Sequence, residues 1–162
     1  MEKIVVAVGS NLGDRLSHIR SAGNFLENLT ENDIRKSSIW ESEAVGGAKF
    51  PFLNCAASIY SSLPPSELLQ KLKHFEQQEG RESDPVRWNP RIIDLDIITY
   101  GRLVIQREGL IIPHPEYKNR TFVLFPIREI EPEWKDPQDQ TPIDTLLAQA
   151  PENEIQKTEL KW

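Results

Sequence analysis

The sequence contains only one cysteine, Cys55, in 162 residues. A single cysteine cannot form an intrachain disulfide, and no cysteine–histidine spacing typical of a zinc site is present. Cys55 lies within an apolar run, where a free cysteine usually behaves as a small hydrophobic residue. We therefore expect Cys55 to be buried in the core and to take no part in chemistry.

Long apolar stretches are also missing. No run approaches the roughly 18 apolar residues that a membrane-spanning helix needs. Met1, Glu2 and Lys3 lead directly into a short predicted strand, without the pattern of a signal peptide. We expect a cytoplasmic protein that does not associate with a membrane.

An excess of positive charge is absent. The 19 lysines and arginines are outnumbered by 25 aspartates and glutamates, which gives a net charge of -6 and a pI of about 5.2. Such a balance does not favour binding to nucleic acid or to an anionic membrane surface. Any anion that binds this chain must therefore be attracted by a local group of cations.

A Walker-type phosphate-binding loop is missing as well. The glycine-containing turn at residues 9–13 lacks the Gly-Lys-Ser/Thr that such a loop requires. A tight strand-to-helix turn is the favoured interpretation of this segment. If the protein binds a nucleotide, it does so outside the P-loop architecture.

The most informative segment that is present lies at residues 92–100. It is rich in isoleucine and predicts a buried β-strand. Because residues two apart in a strand point to the same face, Asp94 and Asp96 share a face, with Cα atoms roughly 6.5–7 Å apart. The apolar residues between and beside them form the other face, which can pack into a core.

Two neighbouring carboxylates in an apolar strand repel each other, and burying them alone is costly. A divalent cation would offset that cost, and oxygen ligands favour Mg²⁺. Arg87 and Arg91 supply positive charge for an anion beside Asp94 and Asp96. This combination suggests transfer of a phosphate-containing group. An edge strand with one solvated polar face is the alternative, and the strand alone leaves it open.

The length of the chain predicts one domain spanning residues 1–162. Apolar periodicity and turn residues predict the order βαββαββ followed by helices. We expect an α+β, ferredoxin-like fold, with a mainly antiparallel sheet covered by helices on both faces. The predicted strands lie at 4–8, 34–40, 53–60, 92–100 and 103–105, the last two as a hairpin. The predicted helices lie at about 15–28, from 64–65 to Gly80, and from Thr141 as N-cap.

Three further features are ambiguous on spacing alone. His114 is held between two prolines near Lys118 and Arg120, so it is either structural or a phosphate contact. Phe52 and Phe122 are ordinary core candidates, or they clamp a flat ring. Asn54 could then pair with the edge of that ring.

With these residues in view, the chain resembles the 6-hydroxymethyl-7,8-dihydropterin pyrophosphokinase family. The family motif, basic-x-small-Pro-Arg-x-x-Asp-hydrophobic-Asp-hydrophobic-hydrophobic, matches at residues 87–98. The similarity runs nearly end to end. The other matching segments are residues 9–13, 52–54, 76–81, 113–114, 119–120 and Phe122.

The resemblance implies that the chain converts ATP and 6-hydroxymethyl-7,8-dihydropterin into AMP and the pterin diphosphate, in folate biosynthesis. It also implies two Mg²⁺ ions. Apart from the resemblance, we expect a monomer whose partners are these two small molecules, with neither nucleic acid nor membrane. By position, the metal and catalytic residues would be Asp94, Asp96, Arg81 and Arg91. The pterin residues would be Ser42, Val45, Phe52, Asn54 and Phe122. The ATP residues would be Glu76, Arg81, Arg91, Ile97, His114 and Arg120, and Arg87 and Trp88 would lie on a closing loop.

The sequence departs from the family pattern at a few positions. Asn89 stands where a small residue is usual, and Pro115 where some members have a tyrosine. Ser83 and Gly109 stand where some members have arginines that contact ATP. These departures are expected to affect ATP affinity rather than the metal pair or the pterin clamp. Two alternatives remain: another Mg²⁺-dependent transferase on the same fold, and a ligand-binding module without catalysis.

Overall fold

A computed structural model describes residues 1–43, 51–80 and 92–162. The strands are β1 (Glu2–Ser10), β2 (Arg35–Lys36), β3 (Trp40–Ser42), β4 (Phe52–Ser61), β5 (Asp94–Tyr100), β6 (Ile105–Arg107), β7 (Leu110–Ile112) and β8 (Ile155–Lys157). The α-helices are α1 (Arg15–Leu29), α2 (Pro65–Glu79), α3 (Thr121–Ile130) and α4 (Ile143–Gln149), and Tyr117–Asn119 form a 3₁₀ turn.

Six strands form one antiparallel sheet in the order β5-β1-β4-β3-β8, in which β2 also pairs with β4. The central strands β1 and β4 are paired from Glu2 with Ser61 to Ser10 with Leu53. A separate hairpin consists of β6 and β7.

The two faces of the sheet carry separate apolar cores, as the period of two in β1 requires. Ile4, Val6 and Val8 pack with α1 and α2, whereas Val5 packs with α3 and α4. The predicted ferredoxin-like α+β fold, with a mainly antiparallel sheet and helices on both faces, is therefore confirmed. None of the helices among the described residues is long and apolar enough to cross a membrane.

Local sequence accounts for the ends of the first two helices. Gly13 has a φ of 68°, and the Asp14 side chain then caps α1 by accepting a hydrogen bond from Ser17 N at 3.1 Å. Pro65 occupies the first position of α2, and the N–H of Gly80 closes its last turn on Glu76 O at 2.9 Å. Both predicted helices are confirmed within a residue or two.

The predicted strand at 34–40 is wrong in part, because it is divided into β2 and β3. The interruption lies at Ser37, whose side-chain Oγ accepts the hydrogen bond of Ala56 N at 2.9 Å. A hydroxyl thus replaces the main-chain carbonyl that a continuous ladder would use. Sequence periodicity does not reveal such a replacement.

The predicted hairpin between β5 and residues 103–105 is also wrong. The turn forms at Gly101, with a φ of 54°, but β6 pairs with β7 and not with β5. The N–H of His114 instead bonds to Ile98 O at 3.0 Å, so the chain after β7 occupies part of the outer edge of β5. The predicted N-cap of the last helix moves by one residue, since Pro142 precedes α4 and Thr141 Oγ1 bonds to Asp139 at 2.6 Å.

Candidate functional site

The register of the sheet places polar side chains from three strands side by side. Asp94 of β5 lies opposite Gly9 of β1, and Gly9 lies opposite Asn54 of β4. One step further along β5, Asp96 lies opposite Ala7. Both aspartates share the face that carries Ile98, which is the face covered by α3. The prediction that they share one face is consistent with this register.

A cavity of about 280 Å³ opens on this face. Its lining includes both aspartates and side chains from β4, α3 and the segment before β8. Gly9, which has no side-chain carbon, and Ala7 lie on β1 between the aspartates and β4, and both line the cavity. The residues that give the cavity its chemical character are Phe52, Asn54, Asp94, Asp96 and Phe122.

Asn54 is held in one orientation at the floor of the cavity. It is buried, and its Nδ2 donates to Ser42 Oγ at 2.9 Å and more weakly to Trp40 O at 3.5 Å. None of the described residues donates a hydrogen bond to its Oδ1. Because the amide group is committed through Nδ2, Oδ1 is available as an acceptor for a donor on a ligand.

The two phenylalanines approach the cavity from different elements. Phe52 is the first residue of β4, and Phe122 is the second residue of α3; both are half-buried. The guanidinium of Arg120 lies 5.8 Å from the centre of the Phe122 ring. Two aromatic rings next to a fixed amide suit a flat heterocycle with hydrogen-bonding groups on its edge.

A third carboxylate lies at the start of β5. Glu76 of α2 accepts a hydrogen bond from Leu95 N at 2.7 Å and pairs with Lys73 at 3.3 Å. Burial raises the pKa of Glu76, and the Leu95 hydrogen bond and Lys73 oppose that change. Glu76 thus ties α2 to the strand that carries both aspartates, a role that its sequence position alone did not reveal.

His114 lies at the edge of β5, close enough to Asp96 and Arg120 for their charges to affect it. Its Nδ1 accepts a hydrogen bond from Glu116 N at 3.1 Å. Burial lowers the pKa of His114, Asp96 raises it, and Arg120 lowers it further. A neutral imidazole with its proton on Nε2 fits this geometry.

Ile97, expected on the ATP side, lies on the opposite face from the aspartates. Its side chain is 5% exposed and belongs to the core beneath α1 and α2. Any contact of Ile97 with a ligand must therefore use its main chain.

Cys55 is buried as predicted, since it is 2% exposed and its side chain joins the core beneath α1 and α2. Five of the predicted site residues lie outside the described part of the chain, which omits residues 44–50 and 81–91: Val45, Arg81, Arg87, Trp88 and Arg91.

 Their predicted roles in pterin binding, phosphate binding and loop closure therefore stay predictions.

Two further residues of the cavity wall were not predicted from the sequence. Asn153 and Glu154 line the cavity from the segment before β8, far along the chain from the motif around the aspartates. Among the described residues, no group of three or more histidine, cysteine or acidic side chains could hold a metal ion. A cation at Asp94 and Asp96 would need further ligands from water or from a bound substrate.

The family model of 7,8-dihydro-6-hydroxymethylpterin-pyrophosphokinase (HPPK) matches residues 5–132. Curated relatives named 2-amino-4-hydroxy-6-hydroxymethyldihydropteridine pyrophosphokinase are similar over most of their length. The Bacillus subtilis protein is 43% identical over 127 residues, which is 77% of this chain and 75% of that protein. The Pseudomonas aeruginosa protein is 33% identical over 159 residues, which is 97% of each chain.

Solved structures share the fold. A crystal structure of HPPK-DHPS in complex with substrates has a TM-score of 0.70 at 13% identity, over 91% of this chain and 43% of that chain. Wild-type Plasmodium falciparum HPPK-DHPS with SDX-DHP also gives a TM-score of 0.70 at 13% identity. This chain thus spans less than half the length of those solved chains. The match over residues 5–132 and the identity to curated relatives show that the chain belongs to the 7,8-dihydro-6-hydroxymethylpterin-pyrophosphokinase family.

Proposed function

We propose that this chain transfers the β,γ-diphosphate of ATP to the hydroxymethyl group of 6-hydroxymethyl-7,8-dihydropterin, a step of folate biosynthesis. The products are AMP and the pterin diphosphate. The observation that carries the proposal is one cavity in which Asp94 and Asp96 lie beside a fixed amide and two aromatic rings. Membership of the family supplies the reaction, and the cavity supplies groups suited to both substrates.

The pterin occupies the part of the cavity between Phe52 and Phe122. The two rings stack on the faces of the pterin, and Asn54 Oδ1 accepts a hydrogen bond from an N–H on its edge. Ser42 supports this contact because its Oγ holds the Asn54 amide at 2.9 Å. Main-chain groups near Val45, outside the described residues, complete the predicted pocket.

Asp94 and Asp96 would hold Mg²⁺, and the resemblance to the family indicates two ions. The donor set fits this metal, because Mg²⁺ in nucleotide sites typically takes one or two carboxylates and completes its shell with water and substrate phosphates. When bound, Mg²⁺ supplies charge stabilisation for phosphoryl transfer. The hydrogen bond from Leu95 N to Glu76 fixes the main chain between the two aspartates.

Arg120 and His114 are the described residues that face the triphosphate. Arg120 carries the positive charge, and His114 offers Nε2–H as a neutral donor when Nδ1 accepts from Glu116 N. Arg81 and Arg91 are expected to add bidentate contacts to phosphate oxygens, and Arg87 and Trp88 to exclude water; these four residues lie outside the described chain.

The protein's contribution to the reaction is mainly positioning. The aromatic pair and Asn54 orient the pterin so that its hydroxymethyl oxygen can approach the β-phosphorus in line with the departing AMP. Exclusion of water from the cavity favours the alcohol over hydrolysis of ATP. A carboxylate such as Asp96 is the proposed acceptor of the hydroxyl proton.

The identity of the nucleotide product tests the proposal. Phosphorus NMR of the protein with ATP, Mg²⁺ and the reduced pterin should show AMP and a pterin diphosphate ester in equal amounts. Chelation of Mg²⁺ should stop the reaction. ADP as the main product would favour a generic phosphotransferase, and no turnover with retained ligand binding would favour a binding module.

We also propose that residues 1–162 act as one domain, as a monomer located in the cytoplasm. The six-stranded sheet supports the first part, since β8 near the end of the chain pairs with β3. Sedimentation of the purified protein would test the monomer.

A further inference from the structure

The end of the chain extends beyond the family match and returns to the cavity. The family model matches residues 5–132, whereas β8 (Ile155–Lys157) forms an edge of the main sheet. β8 pairs with β3, and Ile155 lies opposite Ser42. Ser42 in turn accepts the hydrogen bond that orients Asn54. The C-terminal segment, residues 150–162, is therefore one strand away from the amide at the floor of the cavity.

Main-chain bonds hold both ends of this strand pairing. The N–H of Glu43 bonds to Glu154 O at 3.4 Å on the cavity side. At the other end, Thr158 N bonds to Ile39 O at 2.9 Å and Thr158 Oγ1 bonds to the same oxygen at 2.7 Å. β8 thus protects an edge of β3, which consists of only three residues.

Trp162, the last residue, anchors the segment to the body of the protein. Its Nε1 donates to Ser37 O at 2.7 Å, and Lys36 Nζ donates to Trp162 O at 2.8 Å. Lys36 Nζ also lies 5.5 Å from the centre of the indole ring. These contacts place Trp162 against the end of β2 and against Ser37, which follows it.

The indole ring of Trp162 packs against Gly23 of α1. A Cβ at Gly23 would lie 3.0 Å from Trp162 Cε3, so a side chain there would require the ring to shift by a few tenths of an ångström. Glycine inside a helix is less favourable than alanine, because it loses more conformational freedom on folding. The close approach of Trp162 gives a reason for glycine at this buried position.

The segment also supplies part of the cavity wall. Asn153 and Glu154 line the same cavity as Asn54 and the two phenylalanines. We infer that the C-terminal segment is a positioning element of the pterin site: Trp162 anchors it, β8 supports Ser42 and Asn54, and Asn153 and Glu154 complete the wall. This inference rests on the proposed function, because it assigns the wall to the pterin and not to ATP.

The consequence is a selective effect on one substrate. Removing the anchor should loosen β8 and the wall, so that pterin binding must order them again. Asp94, Asp96 and His114 lie on or beside β5. This strand forms the opposite edge of the sheet from β8, so we expect their positions not to depend on the Trp162 anchor. ATP binding should therefore be little affected.

Calorimetric titration of residues 1–162 with the reduced pterin, and separately with Mg²⁺ and a non-hydrolysable ATP analogue, tests the inference. Trp162→Ala and Asn153→Ala should each raise the pterin Kd about fivefold or more, with the ATP-analogue Kd changed less than about twofold. Asn153→Ala keeps the test valid if the tryptophan variant folds poorly. Trp134→Ala is the matched control, because Trp134 packs edge-on against Tyr117 and does not line the cavity.

Gly23→Ala gives an independent test at a distance from the cavity. Alone, it should raise the pterin Kd because its methyl group forces the Trp162 ring to shift; combined with Trp162→Ala, it should add no further change. Equal losses for both ligands in the tryptophan variant, or unchanged pterin affinity in all three variants, would overturn the inference. Failure of the wild-type protein to bind the pterin would reject the proposed function as well.

Discussion

The carboxylate of Glu76 accepts a hydrogen bond of 2.7 Å from the backbone N–H of Leu95, the residue between the two aspartates of β5. This contact joins α2 to the site strand. Burial raises the pKa of Glu76, so folding favours its neutral form. The contribution of Glu76 protonation to folding stability is fully present below the ordinary pKa of 4.5. It is lost as the pH rises through the raised pKa of the folded protein.

Replacing Glu76 tests both roles. Glu76→Gln keeps an oxygen acceptor for Leu95 N and removes the charge, so its stability relative to wild type should increase as the pH rises from 4.5. Glu76→Ala removes the acceptor and should lower the free energy of unfolding by about 1–3 kcal/mol. Urea unfolding between pH 4 and 8 without Mg²⁺ measures both effects. Glu67→Gln removes the same charge at an exposed position of α2 and serves as the control.

Asp94 and Asp96 should be essential for turnover. Replacement of either by asparagine removes a charged ligand from the proposed Mg²⁺ and several kcal/mol of transition-state stabilisation, a rate loss on the order of 100-fold or more. Steady-state rates of AMP formation measure the loss, and circular dichroism checks that the fold is intact. Half of the wild-type rate in either variant would reject the metal assignment.

The aspartate pair also indicates how far sequence reasoning extends. The period of two in a strand is local, so it predicts that Asp94 and Asp96 share a face. The proximity of Asn54 to Asp94 depends on the register of both strands with Gly9, which is set by pairing between residues distant in the chain. The resemblance to a family placed Asn54 in the site, whereas spacing alone left its role open.

The parts of the structure that could not be predicted depend on contacts between residues distant in the chain. β8 pairs with β3 across more than a hundred residues, and its three residues carry no apolar pattern of their own. Its contribution to the cavity through Asn153 and Glu154 was therefore missed. The division between β2 and β3 was missed because the hydroxyl of Ser37 replaces a main-chain acceptor.

Loss of either aromatic ring should weaken pterin binding more than ATP binding. Phe52→Ala and Phe122→Ala each remove a proposed stacking partner, which costs about 1–3 kcal/mol by analogy with stacking on nucleic acid bases. Calorimetry with the pterin and with an ATP analogue separates the two effects. Phe25→Ala is the control, since Phe25 stacks on Phe75 with ring centres 4.5 Å apart and belongs to the core of α1 and α2. An effect confined to ATP would mean that the clamp is wrongly placed.

Cys55 should be chemically inert in the folded protein. It is 2% exposed, and burial raises the pKa of its thiol, so the reactive thiolate is disfavoured. Alkylation followed by mass spectrometry should be slow in buffer and complete in concentrated urea. Cys55→Ser should leave kcat and KM near the wild-type values, although a buried hydroxyl without a partner costs about 1–3 kcal/mol of stability. Rapid alkylation that the pterin blocks would contradict the buried position.

His114 should be neutral at pH 7, with its proton on Nε2. Burial is the largest cause that lowers its pKa below 6.5; Arg120 and Lys73 act in the same direction, and Asp96 and Glu116 oppose them. Since Nδ1 accepts from Glu116 N at 3.1 Å, only Nε2 can carry the proton of the neutral ring. The stability that this neutral form contributes is present above 6.5 and is lost as the pH falls through the folded pKa.

Nitrogen NMR of labelled imidazole rings in Mg²⁺-free buffer measures both the tautomer and the pKa of His114. The spectrum of His114→Asn identifies the signal, and exposed His74 provides an internal reference in the same sample. The expected result is an Nε2-protonated ring that titrates below 6.5. Such a ring offers the triphosphate a hydrogen bond without a full positive charge, so Arg120 remains the described cation for the phosphates. A ring protonated on Nδ1, or one that titrates above 6.5, would require a different contact for His114 in the ATP site.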